Sequence, residues 1–205
     1  MEDGTTRIER AAARSAARPR APVVERAADQ PVIRTERLVL RPLRDSDAGL
    51  LALYASDRRV AEMTTSIPHP FPPGAAEALI ARARAPGRDE DFWAIDGSAA
   101  GLSEFLGLIS LLRLDEAQSE VRFWIGPAFW KSGFASEALK GLVAADPHGS
   151  RTLFAAVFQD NPASARVLVN AGFDYLGEAE AWSVARGASV PTWTYIRQMD
   201  TRASG

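Results

Sequence analysis

A short glycine-containing turn in the middle of the chain has the composition of an anion-binding site. The turn lies within residues 130–138, contains Gly133 and Ala135, and leads into residues with helical spacing. The first backbone N–H groups of a helix lack internal partners, and the helix dipole adds positive potential there. Small side chains let phosphate oxygens approach these groups. The turn is therefore consistent with phosphate binding, although many helices begin this way only to pack.

The strand predicted just before this turn has a charged face. Residues 119–126 alternate in the manner of a strand with one buried face. One face would carry Val121, Phe123 and Ile125, and the other Glu120, Arg122 and Trp124. Pro127 ends the strand. The helix after the turn would then bury Phe134, Ala138, Leu139, Leu142 and Val143.

A second strand and helix follow, and turn chemistry predicts both ends of this helix. Residues 151–158 are a β-type run. Asn161 is a suitable N-cap, Pro162 fits the first helical position, and Gly172 fits the left-handed position after the last turn. Ser164 consequently lies in the first turn of the helix.

Together these blocks resemble the GNAT acetyltransferases, in particular the RimJ/RimL-like branch of ribosomal-protein N-terminal acetyltransferases. The resemblance extends over about residues 33–199 and is strongest from Glu120 onward. Lys131 departs from the family pattern, in which a glycine is common. Three blocks in the family's order carry the resemblance: Glu120 with residues 123–125, Pro127 with residues 130–138, and residues 161–164 with 166–168 and 171–173.

The resemblance implies an α+β fold, with a single GNAT-like domain and a mixed, largely antiparallel central sheet flanked by helices. The strand carrying Glu120 would splay from its neighbour at a bulge, and the opening would receive the pantetheine arm of acetyl-CoA, the co-substrate. Backbone groups of the strand would pair with the pantetheine, much as an added strand pairs with a sheet edge. The turn would hold the pyrophosphate. The implied coenzyme-binding residues are Phe123, Trp124, Ile125, Lys131, Ser132, Gly133, Phe134, Ala135, Ser136 and Asn161.

The same resemblance implies aminolysis of a thioester. Glu120 is the candidate base that removes a proton from the amine, directly or through water, and Ser164 is the candidate proton donor to sulfur. Arg122 and Trp93 are candidate contacts of the acceptor. An α-amine has a reference pKa near ~8 and a lysine side chain near ~10.4, so far more of an α-amine is neutral at pH 7. Because pairing with Arg122 would weaken Glu120 as a base, we predict an acceptor α-amine, on a protein or peptide N-terminus or a small molecule.

Each assignment has a structural alternative. Glu120 could be a solvated strand residue, Asn161 only a helix cap, and Ser164 only a polar first-turn residue. Arg122 could bind a carboxylate of the acceptor, and Trp93 is more typical of packing. A non-catalytic acyl-CoA-binding sensor is the alternative function. An unrelated phosphate-binding α/β domain would need a doubly wound parallel sheet, which the expected antiparallel meander before the turn disfavours.

The elements that position these residues form one predicted domain over residues 31–200. A first strand is predicted over residues 34–42. A helix capped by Asp45 or Ser46 would run to Tyr54 and bury Leu50, Leu51 and Leu53. The other predicted elements are a short helix at 57–63, a proline-rich loop at 67–73, a helix at 75–84, and strands at 91–96, 104–113, 173–184 and 191–199.

Composition narrows the function classes. The 205 residues have a formal net charge of −2 and no cysteine, so general nucleic-acid binding, disulfides and thiolate metal sites are not expected. With only His69 and His148, a histidine-rich metal centre is not expected either. No apolar run could span a bilayer, so we predict a cytoplasmic protein without membrane association, as a monomer or homodimer. Residues 1–30, rich in Ala and Arg, and residues 201–205 are predicted tails.

Overall fold

A computed structural model describes residues 30–199, which form an eight-stranded sheet flanked by helices. The predicted tails lie outside these residues, apart from Gln30. The strands are β1 (Ile33–Arg34), β2 (Val39–Pro42), β3 (Glu90–Asp96), β4 (Gly107–Arg113), β5 (Gln118–Ile125), β6 (Thr152–Phe158), β7 (Asp174–Ser183) and β8 (Ala188–Gln198). The helices are α1 (Ala48–Ala55), α2 (Arg58–Ala61), α3 (Ala75–Arg84), α4 (Phe134–Ala145) and α5 (Pro162–Asn170).

The sheet has the order β1-β2-β3-β4-β5-β6-β8-β7, and every neighbouring pair is antiparallel except β5 with β6. The predicted α+β fold with a mixed, largely antiparallel sheet is therefore confirmed. Side chains alternate along the strands, so the sheet separates two apolar clusters. In β4, Ile109 and Leu111 face the cluster beneath α4 and α5, whereas Leu108 faces the cluster beneath α1 and α3.

The region predicted as one strand over residues 34–42 is instead a hairpin of β1 and β2. The Thr35 N–H donates to the Leu38 carbonyl at 2.9 Å and closes the turn. Glu137 of α4 holds this turn, because its Oε1 accepts from the Thr35 hydroxyl and from the Arg37 N–H, both at 2.7 Å. Burial acts to raise the pKa of Glu137, but these hydrogen bonds outweigh it and lower the pKa. The break in the strand thus depends on a partner 100 residues beyond Arg37.

Helix α1 ends one residue after the predicted Tyr54, but Asp47 precedes it in place of the predicted cap, and its buried face also differs from the prediction. Leu51 is buried and Leu50 is half-buried, whereas Leu53 is 62% exposed. The prediction for Leu53 was wrong because the helix is apolar on all sides, AGLLALYA, so no periodicity identifies the face that packs.

An arginine buried beneath the start of α1 ties three segments together. Arg41 of β2 is 3% exposed, and its Nη1 and Nη2 each donate to the Asp47 carboxylate at 2.9 Å. Its Nε donates to Asp96 of β3 at 2.7 Å, and Nη2 also donates to the Glu104 carbonyl at 2.8 Å. Burial alone would lower the pKa of Arg41, but the two carboxylates raise it. The guanidinium is therefore fully charged and fully paired.

Candidate active site

A cavity of about 430 Å³ lies on the side of the sheet covered by α1 and α3. This volume suits a small ligand or one end of a peptide. Much of the lining is apolar, including Leu51, Ile67, Phe71 and Leu79. Six of the predicted site residues also line it: Glu120, Arg122, Phe123, Trp124, Asn161 and Ser164. The predicted catalytic pair, on β5 and on the first turn of α5, therefore borders one cavity.

The polar floor of the cavity comes from three neighbouring strands. In the registers, Ser110 of β4 lies opposite Arg122 of β5, and Leu112 of β4 lies opposite both Glu90 of β3 and Glu120 of β5. Alternation along each strand places these polar side chains on one face. Sequence analysis missed Glu90 and Ser110, because the cross-strand register that brings them to Arg122 is not visible in a local pattern.

Arg122 holds Glu120 in a two-point ion pair. Its Nε donates to Glu120 Oε1 at 3.0 Å, and its Nη2 donates to Oε2 at 2.9 Å. Its Nη1 lies 3.8 Å from Oε1 of Glu90, which accepts from the Ser110 hydroxyl at 2.8 Å. Burial acts to lower the pKa of Arg122, but the two carboxylates raise it. The pairing considered from the sequence is present, so Glu120 must share its carboxylate with Arg122.

Strands β5 and β6 separate beyond Glu120, as the resemblance predicted. They pair in parallel over three positions of β5, from Gln118 to Glu120, and β5 then continues to Ile125 paired only with β4. A strand directs alternate N–H and C=O groups to each side, so part of the β5 backbone faces the opening. The predicted bulge is absent from β5, since its register with β4 continues without a shift. The opening arises from divergence of the two strands instead.

Asn161 and Ser164 form the N-terminal turn of α5. The predicted cap is confirmed, because Asn161 Oδ1 accepts from the Ser164 N–H at 3.2 Å and Pro162 is the first helical residue. Gly172 ends the helix with a φ of 77°, also as predicted. Within residues 30–199, no partner is found for the Ser164 hydroxyl, which leaves it available to a ligand in the cavity.

The glycine turn lies outside the cavity, at the N-terminus of α4. Lys131, Ser132 and Gly133 are exposed, Ala135 and Ser136 are half-buried, and Phe134 is buried. Gly133 has a φ of 81°, a conformation that favours glycine. The backbone N–H groups of residues 131–136 donate to no acceptor in the described part of the chain. This run of unpaired amides has the form expected of an anion site.

Arg37 borders the same turn, and sequence analysis missed it. Its guanidinium lies 4.6 Å from the centroid of the Phe134 ring. Its Nη1 donates to the Ser132 carbonyl at 3.2 Å, and its Nε donates to Glu137 at 2.7 Å. Arg37 adds positive charge beside the unpaired amides. The β1–β2 hairpin, which the sequence did not predict, brings it there.

Lys131 has a φ of 62°, in the left-handed region that costs a non-glycine residue roughly 1–2 kcal/mol. Glycine removes this strain but has more freedom in the unfolded chain, an offset of roughly 0.5–1 kcal/mol. We therefore expect Lys131→Gly to raise the free energy of unfolding in urea by up to about 1 kcal/mol. The control is the only other lysine, Lys140, which is exposed within α4, and Lys140→Gly should lower it by about 1 kcal/mol. Destabilisation by both substitutions would contradict the expectation.

Trp93 is not placed to contact an acceptor, which corrects the assignment made from the sequence. Its side chain is fully buried and belongs to the cluster beneath α4 and α5. Its Nε1 donates to the Pro31 carbonyl at 2.9 Å. The neighbouring Phe92 lines the cavity, and alternation along β3 directs Trp93 to the opposite face of the sheet. Trp93 therefore has the packing role that was its alternative.

His148 is held in a buried hydrogen-bond chain. Its Nδ1 lies 2.9 Å from the Ser119 hydroxyl, and its Nε2 lies 2.9 Å from Asp91.

Within residues 30–199, no group of three or more histidine or acidic side chains is arranged to hold a metal ion. In the same range, none of the helices has the length and apolarity needed to cross a bilayer.

Comparison with known proteins identifies the family. Residues 37–174 match the family described as the acetyltransferase (GNAT) domain, which covers most of the chain. The chain therefore belongs to the GNAT acetyltransferase family, and it is an acyltransferase with acetyl-CoA as donor and an amine as acceptor. Family membership favours the enzyme over the non-catalytic sensor that the sequence left open.

Three individual proteins illustrate the similarity. The chain is 28% identical over 179 residues to the uncharacterized N-acetyltransferase YoaA of Bacillus subtilis, covering 80% of this chain and 95% of that protein. In fold it is similar to a GNAT-family acetyltransferase from Bacillus anthracis, with a TM-score of 0.71 and 18% identity over 83% of this chain and 99% of that one. It is also similar to RimL, the ribosomal L7/L12 alpha-N-protein acetyltransferase, solved with coenzyme A, with a TM-score of 0.70 and 16% identity over 83% of this chain and 99% of that one. The two solved structures confirm the fold.

Proposed function

We propose that this acetyltransferase acts on an α-amine, of a protein or peptide N-terminus or of a small molecule, with Glu120 as base and Ser164 as proton donor. The observation that carries the proposal is that both side chains line one cavity beside the point where β5 and β6 separate. The amine nitrogen attacks the thioester carbon while Glu120 takes its proton, directly or through water. The carbon–sulfur bond then breaks and Ser164 protonates the departing sulfur. Solvent returns a proton to Ser164 and takes the proton that Glu120 accepted.

The coenzyme would use two sets of backbone groups. Its pantetheine would pair with residues 123–125 in the opening between β5 and β6. Its pyrophosphate would accept from the unpaired amides of residues 131–136, with the positive end of the α4 dipole behind them. Asn161 lines the cavity, although its side-chain oxygen already caps α5. Its contribution to the coenzyme site would therefore come from its amide nitrogen or its backbone.

Two features of the cavity favour an α-amine over a lysine side chain. The first is its largely apolar lining, which disfavours a charged ammonium group. The second is that Arg122 already occupies the Glu120 carboxylate. About a tenth of an α-amine is neutral at pH 7, against well under a thousandth of a lysine side chain. An α-amine therefore needs much less help from the base.

A pair of matched peptides tests the acceptor class. One peptide has a free N-terminal alanine and no lysine, and the other differs from it only in a blocked N-terminus and one residue replaced by lysine. Released coenzyme A is measured with a thiol reagent, and the protein contributes no background because it has no cysteine. We expect the α-amine peptide to react at least about tenfold faster. Equal or faster acetylation of the lysine peptide would overturn the proposed acceptor.

A further inference from the structure

The turn between β7 and β8 carries Arg186, which contacts two segments that border the cavity, one at the end of α2 and one just before α5. Arg186 donates from Nε to the Glu62 carbonyl at 2.8 Å. It also makes a two-point ion pair with Asp160, from Nη1 at 2.7 Å and from Nη2 at 3.2 Å. The guanidinium lies 5.0 Å from the centroid of the Phe158 ring. One side chain thus joins the end of α2 to the segment between β6 and α5.

Both partners of Arg186 lead directly into the cavity lining. Glu62 precedes the lining segment 63–68, and Asp160 precedes Asn161 of the α5 N-terminal turn. The same hairpin adds a second tie, because the Val184 N–H donates to the Thr65 carbonyl at 3.1 Å. The β7–β8 turn, which lies outside the cavity, therefore contacts both the segment 62–66 and the segment that leads into α5.

The strength of these contacts fits a positioning role better than a stabilising one. The Arg186 side chain is 20% exposed and its Asp160 partner is 53% exposed, so water screens the ion pair. However, a guanidinium provides five donors in a rigid planar arrangement, which fixes the direction of several contacts at once. Arg186 itself is not among the residues that line the cavity.

We propose that the lining segment 63–68 borders the acceptor, and that Arg186 is a positioning residue that sets the distance between residues 62–66 and the first turn of α5, which carries Ser164. The inference rests on the proposed function for the role of Ser164. A small misplacement of reacting groups is enough to slow a reaction strongly. Loss of Arg186 should therefore impair the use of the acceptor more than coenzyme binding, because among the proposed coenzyme contacts only Asn161 lies in the turn that Arg186 positions.

The test compares Arg186→Gln with Arg84→Gln. Arg84 is a matched control, because it also donates to a backbone carbonyl, that of Leu43, and pairs with one carboxylate, Asp45, at 2.7 Å, but neither of these partners adjoins a cavity-lining residue. We expect R186Q to lower kcat/KM for the faster of the two matched peptides roughly tenfold, and R84Q to change it less than about twofold. Calorimetric affinity for coenzyme A should fall much less than kcat/KM in R186Q and stay within about twofold in R84Q. Arg186→Lys should remain impaired, because an ammonium cannot reproduce the planar set of contacts.

Asp160→Asn provides a second, milder variant should R186Q fold poorly. It should reduce activity in the same direction, and the double variant should lose less than the two single losses combined, because the residues act as one unit. Equal effects of R186Q and R84Q on acceptor kinetics would overturn the positioning role, as would a loss of coenzyme affinity in R186Q as large as the loss in acceptor use.

Hydrogen–deuterium exchange separates this inference from the proposed acceptor. If the parent protein acetylates neither peptide, the proposed acceptor class has failed, and exchange then decides the role of Arg186. R186Q should speed exchange in residues 62–66 and 159–164, while R84Q leaves both segments unchanged. Unchanged exchange in R186Q would overturn the proposal.

Discussion

Replacing Glu120 by glutamine is expected to lower kcat by about a hundredfold or more, because a positioned base contributes roughly 10²–10⁴-fold. Glutamine has nearly the same shape but cannot accept the proton of the attacking amine. The substitution also removes the two-point ion pair between residue 120 and Arg122. The measurement is steady-state coenzyme A release at saturating acetyl-CoA and peptide, with calorimetry of coenzyme A to confirm unchanged binding.

The matched control for this substitution is Glu90→Gln. Glu90 is a second carboxylate on the cavity floor, 3.8 Å from Arg122, and it has no proposed role in proton transfer. Its replacement should reduce kcat less than about tenfold, through looser placement of Arg122. If E120Q kept activity within about threefold of the parent, Glu120 would not be the base. If E90Q were as damaging as E120Q, the two carboxylates would have to be treated as one unit.

The largest expected change in stability follows from replacing Arg41 by methionine. The substitution leaves the carboxylates of Asp47 and Asp96 buried without their cation, at 0% and 5% exposure. Removing one partner of a buried charge pair typically destabilises a protein by about 3–5 kcal/mol. We expect a loss of at least this size for Arg41→Met in urea unfolding at pH 7. The control is Arg58→Met, which removes an exposed pair with Glu62 and should change stability by about 0.5 kcal/mol or less.

The effect of Arg41→Met should depend on pH with a defined sign. Burial acts to raise the pKa of Asp96, but hydrogen bonds from Ser98 and Arg41 outweigh it and lower the pKa. A carboxyl group whose pKa is lowered on folding stabilises the protein above its unfolded pKa, near ~3.9, and loses that contribution as pH falls through the folded pKa. The difference between the parent and R41M should therefore shrink below about pH 4. A difference independent of pH would mean that the lost packing, and not the charge, caused the destabilisation.

Local sequence patterns correctly predicted those parts of the site whose structure depends on residues close together in the chain. Alternation over residues 119–126 predicted the two faces of β5, and Glu120 and Arg122 do share the cavity face. Turn chemistry predicted both ends of α5, where Asn161 caps the helix and Gly172 follows its last turn. Periodicity and capping depend on residues a few positions apart, so they are visible without tertiary structure.

The tertiary structure alone decided which distant residues meet. Arg37 reaches the α4 turn through a hairpin held by Glu137, and Arg186 reaches a carbonyl 124 residues earlier in the chain. Strand register places Glu90 within reach of Arg122, and alternation in β3 directs Trp93 into the core. These contacts depend on strand order, register and helix packing, which are decided by interactions between residues far apart in the chain. The sequence by itself therefore determined the family and the local structure of the segments that carry the candidate residues, whereas the shape of the cavity and the distant residues that meet beside it follow only from the folded chain.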